Sequence, residues 1–213
     1  MNTADLFAGA VRTEAELREL YPEPKSLSVR KVTTGINEMT RRFIAASPFV
    51  LVASHSREGL CDVSPRGGPP GFVSVLDETC LAIPDATGNR RLDSMRNVVQ
   101  TGQVGLLFLI PGRGQTLRIN GRACVSTDPE LLARLTAVGR PPLTALVVRA
   151  DEVFAHCPKA FVRSGLWDPA TWPGADADLP SPAELSQSHI GDPNLTVAEV
   201  EEHLRNSLIH DLA

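Results

Sequence analysis

The chain has 213 residues, 42% of them hydrophobic, which is enough for one good-sized core and short for two independent domains. Its formal net charge of -4, with no basic block, argues against a nucleic-acid surface. There is no basic, apolar leader and no run of about 18 apolar residues, so no membrane association and a cytoplasmic location are expected.

In chain order, "TEAELREL" places Thr13 three residues before Glu16, a capping-box signature, and predicts a short helix that Pro22 and Pro24 stop. "NEMTRRFIAAS", from Asn37 to Ser47, is helical by the spacing of Ile36, Met39, Phe43 and Ile44, and Pro48 ends it. "FVLVASHS", "GLCDVSP", "GFVSVLD" and "TCLAIPD" are short, rich in Val, Leu, Ile and Phe, and punctuated by turn residues; they read as an antiparallel meander.

The stretch "GNRRLDSMRNVV", Gly88 to Val99, reads as a helix with Asn89 as N-cap and Arg90 and Arg91 in its first turn. There the dipole disfavours each cation by about 0.3–1 kcal/mol, so an anion is expected beside them. The alternative is a solvated pair bound to Asp93 or Asp85. Leu92, Met95 and Val99 form the predicted apolar face.

"QVGLLFLIPG" is almost wholly apolar and predicts a strand buried on both faces. "PGRG" then turns it into "QTLRINGRACVST". In that strand Leu117, Ile119, Ala123 and Val125 alternate with Arg118, Asn120, Arg122 and Cys124, and Gly121 marks a bulge or a close approach. "DPELLARLTAV" is a helix capped by Asp128, and "LTALVVRADEVFAHC" is a further strand. "SGLWDPATWPGADADLPSP" reads as a loop or arm without a core, and the final helix carries Val197, Val200, Leu204 and Leu208 on one face.

The fold expected is mostly β with peripheral helices, an α+β chain built on a six-stranded antiparallel barrel. The segments are a helical extension over 1–47, a barrel core over 48–158 and a loop and helix over 159–213. Cys61, Cys80, Cys124 and Cys157 show no CxxC spacing, which predicts reduced, mostly buried thiols and neither a disulfide framework nor a metal site. His156 and Cys157, being adjacent on a strand, point to opposite faces and form no catalytic pair.

"DVSPRGGPPGF" places Arg66 at a strand end, in a loop where backbone can approach a ligand closely. Two strand ends, each followed by arginine, are what a phosphate site at a barrel rim requires.

The order of these pieces, "DVSPRG", "CLAIPD", "GNRRLDSMRNV", "GQVGLLFLIPG" and "QTLRINGRA", resembles the pyridoxamine 5'-phosphate oxidase-like superfamily of FMN-binding split barrels. "SPRGGPPGF", "PGRGQTLRINGRA" and "AHCPKAFVRSGLW" are similar to a bacterial subgroup described in general terms as FMN-dependent enzymes. The resemblance implies that Asn89, Arg90 and Arg91 hold the FMN phosphate, with Arg66 approaching the phosphate or ribityl chain. It also implies that Ile83, Pro84 and Asp85 run along the flavin, and that Gln115, Thr116 and Arg118 of a second subunit face its ring across a homodimer interface.

Lys159, Arg163 and Trp167 form a candidate lid over the ligand; the alternative is a helix cap and a packing tryptophan. The arginine-rich signature that closes true pyridoxamine 5'-phosphate oxidases is replaced here by "EEHLRNSLIHDLA", so vitamin B6 oxidation is not the expected reaction. No acid/base pair or nucleophile stands out, so catalytic residues stay unassigned, which fits a cofactor that carries the hydride chemistry itself. The leading expectation is an FMN-dependent oxidoreductase acting on a small organic molecule. The alternatives are a flavin-binding or storage protein without turnover, and a related haem-binding barrel.

Overall fold

The computed structural model describes residues 7–86, 88, 90–135, 141–174 and 176–210. Two compact units are present, Met1–Val32 and Thr33–Ala213. In the first, α1 (Glu14–Leu20) starts at the expected capping box, Thr13 and Glu16 satisfying one another's backbone N–H groups. A second short helix, α2 (Ser26–Arg30), was not foreseen, and neither helix has a buried residue.

The second unit opens with α3 (Glu38–Ala46), where the Asn37 side chain accepts from the Thr40 N–H. Ile44 is fully buried and Phe43 packs on the core, but Met39 is exposed, so the buried stripe is narrower than expected. Seven strands follow: β1 (Phe49–His55), β2 (Cys61–Gly67), β3 (Ser74–Val75), β4 (Cys80–Pro84), β5 (Gln103–Leu109), β6 (Thr116–Ser126) and β7 (Ala145–His156). They form one sheet in the order β2-β1-β5-β6-β7-β4-β3, antiparallel at every pairing. The fold is therefore the expected α+β arrangement with seven strands instead of six, the segment "GFVSVLD" contributing only the two-residue β3. A continuous meander is not what forms, because β2 and β3 lie at opposite ends of the sheet.

One face of the sheet supplies the core. Val50 and Val52 of β1, Leu81 and Ile83 of β4, Leu106 and Phe108 of β5, Ile119 of β6 and Val148 of β7 belong to a single buried cluster. On β5 only Val104, Leu106 and Phe108 are buried, while Gly105, Leu107 and Leu109 are half-covered and Gln103 is exposed. This strand is thus buried on one face, a correction to the two-sided burial its sequence suggested. A smaller cluster, with Ala82, Ala145 and Leu135 at its centre, packs Leu131 and Leu132 of α5 (Pro129–Arg134) against the other face of β4.

Gly121 is a close-approach site, since a Cβ there would lie 2.0 Å from the Arg149 carbonyl oxygen. The register shift falls beside it: Asn120 pairs with Glu152 and Gly121 with Ala150, which leaves Asp151 as the extra residue on β7. Asp151 turns its carboxylate to Arg122 (3.4 Å) and Arg149 (3.7 Å).

After β7 come α6 (Lys159–Ser164), a 3-10 turn (Pro169–Thr171), α7 (Pro182–Ile190) and α8 (Val197–His210). α7 was missed although Ser181 and Glu184 form a capping box. On α8 Val200 is buried and Leu204 half-buried whereas Val197 and Leu208 are exposed, so the predicted stripe is covered only in its middle. The four thiols are free, but Cys61, Cys124 and Cys157 are exposed and Cys80 half-buried, which overturns the expectation of mostly buried cysteines.

Candidate functional site

Cross-strand partners share a face of a sheet, and that places Arg66. It stands opposite Val50, and Ser64 opposite Val52, so both point to the core side of β2. The half-buried Arg66 guanidinium donates to Ser64 Oγ and to the Pro65 carbonyl (2.9 Å). Its charge also acts on Asp85, just beyond the end of β4. Five strand steps separate β2 from β4 in the sheet order; laid flat, these would put the two residues about 24 Å apart, well beyond the screening length of water. The two strand ends are therefore closer than a flat sheet would place them, although no ion pair joins Arg66 to Asp85 among the described residues.

Asp85 is half-buried, and burial pushes its carboxyl above the usual range while Arg66 pulls it back. Its N–H donates to the Thr144 carbonyl (2.9 Å), so the preceding residue, Pro84, faces the other edge of β4. On that edge β3 pairs only with Leu81 and Ala82. A proline costs no ladder bond in such a place, and Pro84 itself is buried. The Ile83 side chain points into the core, 2% exposed.

The next helix, α4, spans Asp93–Thr101 and not Gly88–Val99. Arg90 and Leu92 have positive φ, 61° and 60°, so the chain cannot yet be helical at these residues. Arg90 and Arg91 therefore precede the helix, and the first turn holds Asp93, whose sign suits the dipole. Leu92 is the N-cap; Asn89 lies outside the described residues. Arg91 Nε donates to Asp93 at 2.9 Å, which is the surface pairing held open as the alternative. Arg90 is exposed and makes no ion pair among the described residues.

The buried face of α4 is also different from the one predicted: Ser94, Asn97 and Val98 are buried, whereas Leu92 and Val99 are exposed. Ser94 Oγ donates to Asp62 (3.0 Å), and Asn97 Nδ2 donates to Ser54 Oγ (3.0 Å). The helix meets hydroxyl and carboxylate groups of β1 and β2 through Ser94 and Asn97, while Val98 joins the core, so its covered face is partly polar. Sequence reading missed Asp62, Ser94 and Asn97, which share no local motif. The chain between Asp85 and Asp93 thus has one end near Arg66 and the other near Asp62, about 13 Å apart along β2. That span carries Arg90 and Arg91.

Gln115, Thr116 and Arg118 form a separate group at the β5–β6 turn. Arg118 pairs with Leu107, and Leu107 with Leu51, so Arg118 stands on the sheet face opposite to Arg66. Its guanidinium lies over the Phe154 ring, 5.5 Å from the centroid. Thr116 is buried and Gln115 exposed. Trp167 joins this group: its Nε1 donates to the Arg113 carbonyl (3.0 Å) and its ring stacks on Phe161 at 5.8 Å. Lys159 and Arg163 are exposed on α6.

A shallow groove of about 560 Å³ lies elsewhere, lined by His55, Gly105, Asn120 and Glu152 among others, and contains none of the predicted residues. Among the described residues no three His, Cys, Asp or Glu side chains are grouped to hold a metal. No helix there is long and apolar enough to cross a membrane.

A family profile described as Pyridoxamine 5'-phosphate oxidase matches residues 36–157. Among solved structures, the chain is similar to a candidate pyridoxamine 5'-phosphate oxidase from Lactobacillus delbrueckii, at 21% identity and TM-score 0.45 over 57% of this chain and 95% of that one. It is also similar to HupZ of Group A Streptococcus, at 15% identity and TM-score 0.44 over 57% and 99% of the two chains. An FMN-binding protein from Syntrophomonas wolfei matches at 10% identity and TM-score 0.40 over 55% and 88%. No curated protein matches the chain.

Proposed function

Because the chain belongs to the pyridoxamine 5'-phosphate oxidase family, we propose that it is an FMN-dependent oxidoreductase acting on a small organic substrate. The observation that carries this reading is that the Arg66 guanidinium acts on the Asp85 carboxyl, which puts one end of the segment bearing Arg90 and Arg91 within electrostatic reach of a third guanidinium. Gathered around one phosphate, Arg66, Arg90 and Arg91 would suit the dianion, since charge-assisted bonds from guanidinium groups are the strong ones. Arg91 donates to the surface residue Asp93, a weak pairing that a phosphate can displace.

Bound FMN supplies hydride-transfer chemistry, and the protein's part is to hold and orient it. In this reading Arg66, Arg90 and Arg91, with Asn89, anchor the phosphate. The end of β4, with Pro84 buried and Asp85 half-buried, lies beside the rest of the molecule. Gln115, Thr116 and Arg118 come from a second copy, because within one chain Arg118 and Arg66 lie on opposite faces of the sheet. The outer face supports the homodimer: Phe49, Leu51, Leu107 and Leu109 are half-covered there and Val63 is 61% exposed, a patch of the kind that marks an interface. Lys159 and Arg163 supply positive charge for an anionic substrate group.

Adding FMN to the purified protein and recording its visible spectrum, then its reduction by NADH and NADPH, tests the reading. A bound, reducible flavin is expected. Failure to bind FMN overturns it.

A further inference from the structure

We infer that Trp167 is a positioning residue: it clamps the β5–β6 turn and thereby sets the place of Gln115. The inference rests on the reading above for what Gln115 does, but the clamp is drawn from contacts within one chain.

The turn has three supports, one from the last residue of β7 and two from the segment after it. Trp167 Nε1 donates to the Arg113 carbonyl at 3.0 Å, across 54 residues of sequence. Pro158 packs on Gly114 so closely that a Cβ on Gly114 would lie 2.7 Å from the proline Cβ, which is why this position is glycine. His156 pairs with Thr116, holding the first residue of β6 in the ladder. Gln115 lies between the clamped Gly114 and the paired Thr116. Its backbone has little freedom, while its side chain is exposed.

The clamp is itself braced. The Trp167 ring lies parallel to Phe161, 6° between planes at 5.8 Å, which fixes the indole's direction. Gly165, at φ +62°, ends α6 and turns the chain toward Trp167. Thr171 Oγ1 then bonds the Gly165 carbonyl (2.9 Å), closing the loop behind the indole. A tryptophan serving as a lid would keep its N–H for the ligand, whereas this one has used it on the turn. Trp172 is the internal control: its Nε1 donates to the Leu166 carbonyl (3.0 Å), within its own segment.

Hydrogen exchange on the full chain without flavin, followed by FMN titration, tests the assignment. Trp167→Phe removes the donor and keeps a ring over Phe161. It should speed amide exchange over 111–116 by about two- to tenfold, the range that one neutral hydrogen bond gives, while Trp172→Phe leaves those amides unchanged. With FMN, Trp167→Phe should weaken binding no more than Gln115→Ala does. The double variant should match Gln115→Ala alone, because a positioning residue has nothing left to position. Unchanged exchange over 111–116 in Trp167→Phe, or additive losses in the double variant, would overturn the clamp. Wild-type protein that binds no FMN would remove the proposed function, with the exchange result still deciding whether the turn is held.

Discussion

The Arg66 guanidinium acts on the Asp85 carboxyl although their strands stand five places apart in the sheet order. Asp85 is subject to two opposed influences, burial raising its pKa and the guanidinium lowering it, and burial is the larger.

The raised pKa has a signed consequence. The folded protein holds the Asp85 proton more tightly than the unfolded chain does, so this group's favourable contribution is present at low pH and is lost as pH rises through its folded pKa. Asp85→Asn should therefore stabilise the protein more at about pH 7 than at about pH 4. Arg66→Leu should raise the Asp85 pKa further, as read by NMR titration of its carboxyl carbon. An unmoved titration would separate the two residues.

Gly121 admits no side chain, because a Cβ there would meet the Arg149 carbonyl oxygen of the neighbouring strand at 2.0 Å. Gly121→Ala should cost about 3 kcal/mol or more in denaturant unfolding, as strand backbones are forced apart. Gly112→Ala should cost about 1 kcal/mol, since only its positive φ stands in the way and nothing lies within 4 Å. Equal losses would contradict the close approach.

The homodimer makes its own prediction. Sedimentation should show a dimer at micromolar concentration, and Leu107→Glu on the half-covered outer face should give a folded monomer with weakened FMN binding. A wild-type monomer with flavin still bound would rule out a shared site.

Much of this architecture was legible in the sequence, and the illegible parts have physical reasons. Thr13 with Glu16, Asn37 and Asp128 announce helix starts because a cap is a local hydrogen bond between residues three apart. The alternation along β6 is likewise local. By contrast, Arg90 and Leu92 take left-handed backbone conformations with no glycine to signal them, so the arginine segment looked helical when it was not. The polar buried face of α4 depends on Ser54 and Asp62, which lie 43 and 32 residues away from their partners. The bond from Trp167 to the turn spans 54 residues. Contacts of that range follow from how the sheet rolls, which no local pattern encodes.

Arg118, over Phe154 at 5.5 Å, presents a fixed positive charge on the face given to the second copy. Arg118→Leu should retain FMN, because the phosphate arginines are untouched, but lower the flavin's reduction potential through loss of a cation near the reduced ring. Spectroelectrochemical titration decides it. Equal potentials in wild type and variant would remove Arg118 from the ring's surroundings.

The central claim is that Arg90 and Arg91, brought to the Arg66 edge, hold a phosphate. Calorimetric titration with FMN and with riboflavin, which lacks only the phosphate, tests it most directly. Wild type should prefer FMN by on the order of a hundredfold, since charged hydrogen bonds contribute about 1.5–3 kcal/mol each, and Arg90→Ala with Arg91→Ala should bring the two ligands close to parity. Equal affinity of the wild type for both, or an FMN preference that survives the double substitution, would contradict the account.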